Sequence, residues 1–234
     1  MAISYVNTAT ATTSTPSATS LACNVPANTA DGDVMVAITS RPSSSATVST
    51  PTGWSALPNF PTTNSNGTAL YGFYRVASSE PASYTFSFSV GKICISISSY
   101  RGVDNTTPIN ASSATADTTN RSAHASPSIT TTVASCWLIA GYCDRGTASA
   151  STWSTPTGLT SRSGNLTTTG TNNNSLATFD SNGGQSTGSY SYSSTASASQ
   201  SNACMCTVAL APAGPTPPIA PLLLRQAVAR SALR

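Results

Sequence analysis

The sequence predicts an all-β protein, an antiparallel β-sandwich built from two diverged repeats. Short apolar runs alternate with period two, and the turn signal "STPTG" occurs at Ser49 and again at Ser154. Helical periodicity is missing before residue 220. A duplicated set of strands satisfies all three.

Composition agrees. Only 7% of the 234 residues are charged, against roughly 25% in an average soluble domain, and Ser, Thr, Ala, Asn and Gly fill the deficit. The 38% of hydrophobic residues still supplies a core. The net charge of +3 comes from scattered arginines and forms no basic stripe, so nucleic acid is not an expected partner. No stretch approaches the roughly 20 apolar residues of a membrane span, so no membrane partner is expected. "AISYVNTATATTS" lacks the charged start and apolar run of a secretory signal, and the expectation is a protein that stays where it is made.

The elements follow in order. "DGDV" at Asp31 reads as a turn before a strand, because Asp tolerates and Gly favours positive φ. The strand "VMVA" at 34–37 corresponds to "WLIA" at 137–140, an offset of 103. "TPTGW" is a turn entering a strand, with Trp54 covering the core edge, and Leu159 does the same in the second copy. "ALYGFY" corresponds to "SLATFD" and "YTFSFS" to "YSYSST", both at offset 106. In "CISISSY", Ile93, Ile95 and Ile97 alternate with Cys94, Ser96 and Ser98, and its counterpart is "CMCTVAL" from Cys204. Two sets of about four strands, each polar on one face, are expected to pack face to face as one sandwich of about eight strands or somewhat more, sharing one core.

The sandwich is assigned to residues 1–211, with repeat one at about 20–104, a crossover at 105–127 that is expected to add a further edge strand, and repeat two at about 128–211. Residues 212–234 form a Pro-rich spacer and a short basic amphipathic tail. As a helix, that tail is a candidate docking peptide carrying Leu222, Leu223, Leu224, Arg225, Val228, Arg230, Leu233 and Arg234.

Chemistry-bearing residues are sparse. The single histidine, His124, falls in the crossover loop with only distant Asp117 near it, and the single glutamate, Glu80, precedes Pro81 at a turn as a capping group. No catalytic residue, metal site or cofactor is assigned. Asp31 and Asp33 are the one pair that a calcium ion could recruit, and the second copy lacks both. The six cysteines read as buried small hydrophobes, Cys204 and Cys206 sharing one strand face, with Cys136 and Cys143 positioned to meet across a tight hairpin. Sugars stack on exposed aromatic faces, so Trp153, in polar surroundings, and Trp54 are the candidate contact residues, whereas Trp137 in "CWLIAGY" belongs to the core.

The succession "TPTGW", "ALYGFYRV", "SEPASYTFSFS" and "ISSYRGVDNTTPIN" resembles a group of jelly-roll-like β-sandwich proteins found in the virions of tailed bacteriophages and as surface proteins of bacteria. The resemblance covers roughly residues 20–212, with Tyr74, Tyr84, Tyr100 and Arg101 as packing or corner residues. It implies a non-enzymatic capsid decoration or head/tail accessory subunit, located in the virion. Its partners would be the major capsid protein or other virion proteins, with self-association into a homo-oligomer a further expectation. The alternative is a carbohydrate-binding or adhesive module whose partner is a host-surface glycan.

Overall fold

A computed structural model of the chain describes residues 1–146 and 150–214. These residues form an all-β, antiparallel, sandwich-like structure of eighteen strands. The first eight are β1 (Ser4–Thr13), β2 (Ser20–Asn24), β3 (Val34–Arg41), β4 (Ser55–Ala56), β5 (Thr62–Asn64), β6 (Thr68–Val76), β7 (Ser83–Ser87) and β8 (Ile93–Arg101). The other ten are β9 (Ile109–Asp117), β10 (Arg121–Ala125), β11 (Ile129–Thr131), β12 (Trp137–Cys143), β13 (Arg145–Gly146), β14 (Thr160–Thr167), β15 (Asn173–Asp180), β16 (Gly188–Tyr190), β17 (Ser193–Gln200) and β18 (Ala203–Leu210).

The duplication is visible in the strand order. One six-stranded sheet runs β1-β8-β3-β6-β4 with β5 also on β6, and the other runs β9-β18-β12-β15-β13 with β14 also on β15. Small two-stranded sheets cover the outer faces: β2-β7 on the first, β10-β17 and β11-β16 on the second. Each half is therefore a jelly-roll-like sandwich in its own right. The two six-stranded sheets then pack against each other.

Eighteen strands exceed the eight or somewhat more that were expected, and the single shared core is supplemented by others. The halves do share a core, in which Val36, Ile38 and Leu70 meet Ile139, Leu176 and Val208, but each also has its own beneath its cover. Strand β9 pairs with β18 as the further edge strand expected in the crossover, and β10 pairs with β17, so residues 109–125 belong to the second half where mostly connecting chain was expected. Likewise β1 pairs with β8 and extends the first half back to Ser4.

Both copies of "STPTG" build the same corner. Trp54 N donates to Pro51 O at 3.0 Å and Leu159 N to Pro156 O at 3.1 Å, with Gly53 and Gly158 at φ +79° and +81°. A Cβ at those angles is strained, which is why glycine stands in both.

One position shows how the copies diverged without losing packing. Immediately before each corner, Val48 bridges Phe88 in the first half and Trp153 bridges Ala196 in the second. Small against large has become large against small, which conserves volume. Replacing Trp153 by Val is expected to cost about 3 kcal/mol through the cavity it leaves. Adding Ala196→Phe should restore about 1 kcal/mol or more, and a double-mutant cycle by urea denaturation measures that coupling.

Candidate functional site

The junction between the halves is where the polar chemistry gathers. Inward-facing residues of β15 meet β3 and β8 along a ladder: Asn174 Nδ2 donates to Ser40 O at 2.6 Å, and Ser96 and Thr178 share a hydroxyl bond at 3.0 Å. Tyr100 OH donates to Asp180 Oδ2 at 3.2 Å, and Arg162 Nε reaches the same oxygen at 2.8 Å. The guanidinium carbon of Arg162 also lies 3.8 Å from the ring centre of Tyr5. Asp180 is fully buried, so these partners are what allow its charge to stay there.

The arrangement is close to two-fold symmetric. Strand β1 faces β14 as β9 faces β5, and β8 faces β15 as β18 faces β6. Cationic clamps close the two ends. Arg145 Nη2, from the second half, donates to Asn66 O of the first at 2.8 Å. Lys92 Nζ, from the first half, donates to Thr169 O and Thr171 O of the second at 2.5 and 2.6 Å.

Beside Lys92 lies a cleft of about 360 Å³ between the halves, lined in part by Ser14, Pro16, Arg41, Pro42 and Val90. Arg41 is only 1% exposed, and its side chain donates to the carbonyls of Lys92, Thr47, Ser89 and Val90. Its guanidinium also sits 4.6 Å from the Phe88 ring centre. Burial pulls its pKa down to about 10. No carboxylate lines this cleft, and neither Arg41 nor Lys92 forms an ion pair among the described residues.

Sequence reasoning passed over Arg41, Lys92 and Asp144. Extending the offset of 103 between "VMVA" and "WLIA" by a few residues aligns Arg41 with Asp144. Asp144 is also fully buried, and its Oδ2 has no hydrogen-bond partner. The two halves thus hold charges of opposite sign at one equivalent position.

The residues singled out from sequence are placed differently. Trp153 is 3% exposed and not a surface aromatic: its Nε1 donates to Ser175 Oγ at 2.9 Å, and its ring packs 5.5 Å from Tyr142. The small side chain of Ala196, its bridge partner, is one reason the ring fits inside. Trp54 is 6% exposed, edge-on to Tyr84 at 5.3 Å, which matches its expected place at the core edge but closes its faces to a sugar. Trp137 is in the core as expected. The tail residues from Leu222 to Arg234 lie outside the described residues.

His124 is a correction as well. It lies in β10 and is fully buried, with Nδ1 2.9 Å from Asp117 Oδ2 and Nε2 2.9 Å from Arg121 O. Strand β9 brings Asp117 to it. Both ring nitrogens are therefore engaged, one with a carboxylate and one with a backbone carbonyl. The Asp33 carboxylate is taken by Arg101 at 2.9 and 2.8 Å and by the Ala30 amide, while Asp31 accepts separately from Ser79 N. Gly32 at φ +85° makes the expected turn there. Glu80 caps its loop, accepting from Ser78 N at 2.7 Å and Arg75 Nε at 2.8 Å, with Tyr84 OH on its other oxygen. All six cysteines are free and buried, and Cys204 and Cys206 share the face turned to the other half. Cys136 and Cys143 sit at opposite ends of β12 and cannot meet across a hairpin.

Comparison of the chain with protein-family models, with curated proteins and with solved structures finds no match.

Two outcomes follow from these contacts. Burial pushes the Asp117 carboxyl up, but bonds from the Thr119 amide, Arg121 and His124 outweigh it and hold the pKa at about 2. Because this lies below the roughly 3.9 of an unfolded Asp, the group stabilises fully above about pH 4 and progressively less as pH falls towards 2. Asp117→Asn should flatten that limb of a stability profile measured by urea denaturation. At the junction, Asp180→Ala strands the Arg162 guanidinium and should lower stability by about 3 kcal/mol or more, read from the same denaturation.

Proposed function

We propose that this protein is a non-enzymatic structural subunit of a tailed-bacteriophage virion, a capsid decoration or head/tail accessory protein docked through a terminal segment. The observation that carries the reading is the meeting of the two ends of the described fold on one edge. Met1 N donates to Ala213 O at 3.1 Å, Ala213 N donates to Gly102 O at 2.9 Å, and Val103 bridges Pro212. A segment leaving at Gly214 starts beside a hollow of about 440 Å³ lined by Ile109 and Val133, the latter 42% exposed. Two covered sandwiches would then face outward while one edge is reserved for attachment.

The sequence resemblance, from "TPTGW" to "ISSYRGVDNTTPIN", supports the same reading. So does the use made of the lone histidine, whose two ring nitrogens are both spent on structural contacts. The partner is the major capsid protein or another virion protein. The glycan-binding alternative loses its expected platform, because Trp54 and Trp153 are buried.

Density-gradient fractionation of the producing culture tests this directly. The expected result is co-banding with particles at a fixed ratio to the major capsid protein. A variant ending at residue 214 should fold, by circular dichroism, and fail to join the particle. Recovery only in the particle-free supernatant, or normal incorporation of the shortened chain, would sink the reading or its docking segment respectively.

A further inference from the structure

We infer that the cleft between Lys92 and the 169–172 loop binds a small carboxylate-bearing ligand about the size of a sugar acid. Charge points to an anion. In a chain with 7% charged residues, two cations are buried at one cleft, with Arg41 and Lys92 at 1% and 7% exposure, and no carboxylate lines it. Backbone carbonyls accept from both but bring no opposite charge, and a low-dielectric wall strengthens their field.

The donors divide the work. Arg41 spends four contacts on carbonyls and acts through its field alone. An ammonium has three N–H groups, and Lys92 commits two of them, to Thr169 O and Thr171 O. The third is free for a carboxylate oxygen.

Size and rim favour an organic acid over a bare ion. The volume of about 360 Å³ falls at the small end of the range for ligand pockets. Pro16, Pro42 and Val90, the last 66% exposed, offer apolar contact for a ring face, and Ser43 and Asn172 stand ready for hydroxyls. The site is built from both halves. Thr169 N donates to Ser14 Oγ at 2.9 Å, and Gly170 and Asn172 take φ of +92° and +52° to turn the loop over Lys92. The equivalent end of the molecule carries Asp144 where this one carries Arg41, so one such site is expected per chain.

Titration calorimetry with glucuronate, and with glucose as the neutral control, tests the assignment on the full chain. Glucuronate should bind and glucose should not. Asn172 is exposed and its φ suits Asp, so Asn172→Asp should keep the fold and weaken binding roughly tenfold by repulsion. Lys92→Met should abolish it. Three results would overturn the proposal: no heat with glucuronate, affinity unchanged in Asn172→Asp, or inorganic phosphate binding as tightly as glucuronate.

Discussion

The fold depends on burying the two six-stranded sheets on both faces. Strands β3, β8, β12, β15 and β18 are buried along almost their whole length, because each has a small sheet on one side and the other half of the molecule on the other. Such strands leave their polar side chains little water, and at the junction Asn174 bonds to Ser40, Ser96 to Thr178 and Tyr100 to Asp180 across it. The ladder from Ser40 through Thr178 to Asp180 is the result. It gives the junction a register that apolar packing alone would not specify.

Much of this was legible in the sequence, and what was missed has a physical cause. Pattern and punctuation revealed the duplication and the corner at "STPTG", because Pro and Gly constrain φ wherever they occur. The alternation of Ile93, Ile95 and Ile97 with Cys94, Ser96 and Ser98 was read as core against solvent. Its Ile face does pack under β2-β7, but the Cys and Ser face is the junction itself. Small hydroxyls bonded across an interface look the same in sequence as hydroxyls in water. Strand β9, "INASSATAD", was expected only as an unplaced edge strand for a related reason: its Ser, Thr and Ala residues carry little hydrophobic signal, and its place is set by pairing with β18. Trp153 was misplaced because its surroundings in sequence are polar, whereas the room for its ring comes from Ala196, more than forty positions away.

Charge is used sparingly, and the carboxylates that hold an arginine are buried while several of those arginines reach solvent. Asp33, Asp117 and Asp180 each hold an arginine, and each of these pairs ties together strands or turns that are separate in sequence or fixes a strand end. Arg41 and Asp144 stand apart from this pattern. Occupying one equivalent position with side chains of opposite type and no ionic partner among the described residues, they mark the two ends of the junction as chemically distinct although the backbone there is nearly the same.

That distinction bears on how the molecule arose. A near two-fold junction between like halves is the geometry of a homodimer, here joined into one chain by the few residues between β8 and β9. Once joined, the halves were free to diverge separately, and they have. Lys92 grips a loop of the second half while Arg145 grips one of the first, and only one half supplies the Arg162 that covers Tyr5. Severed between β8 and β9, each piece would expose to water the inner sheet that the other now keeps dry.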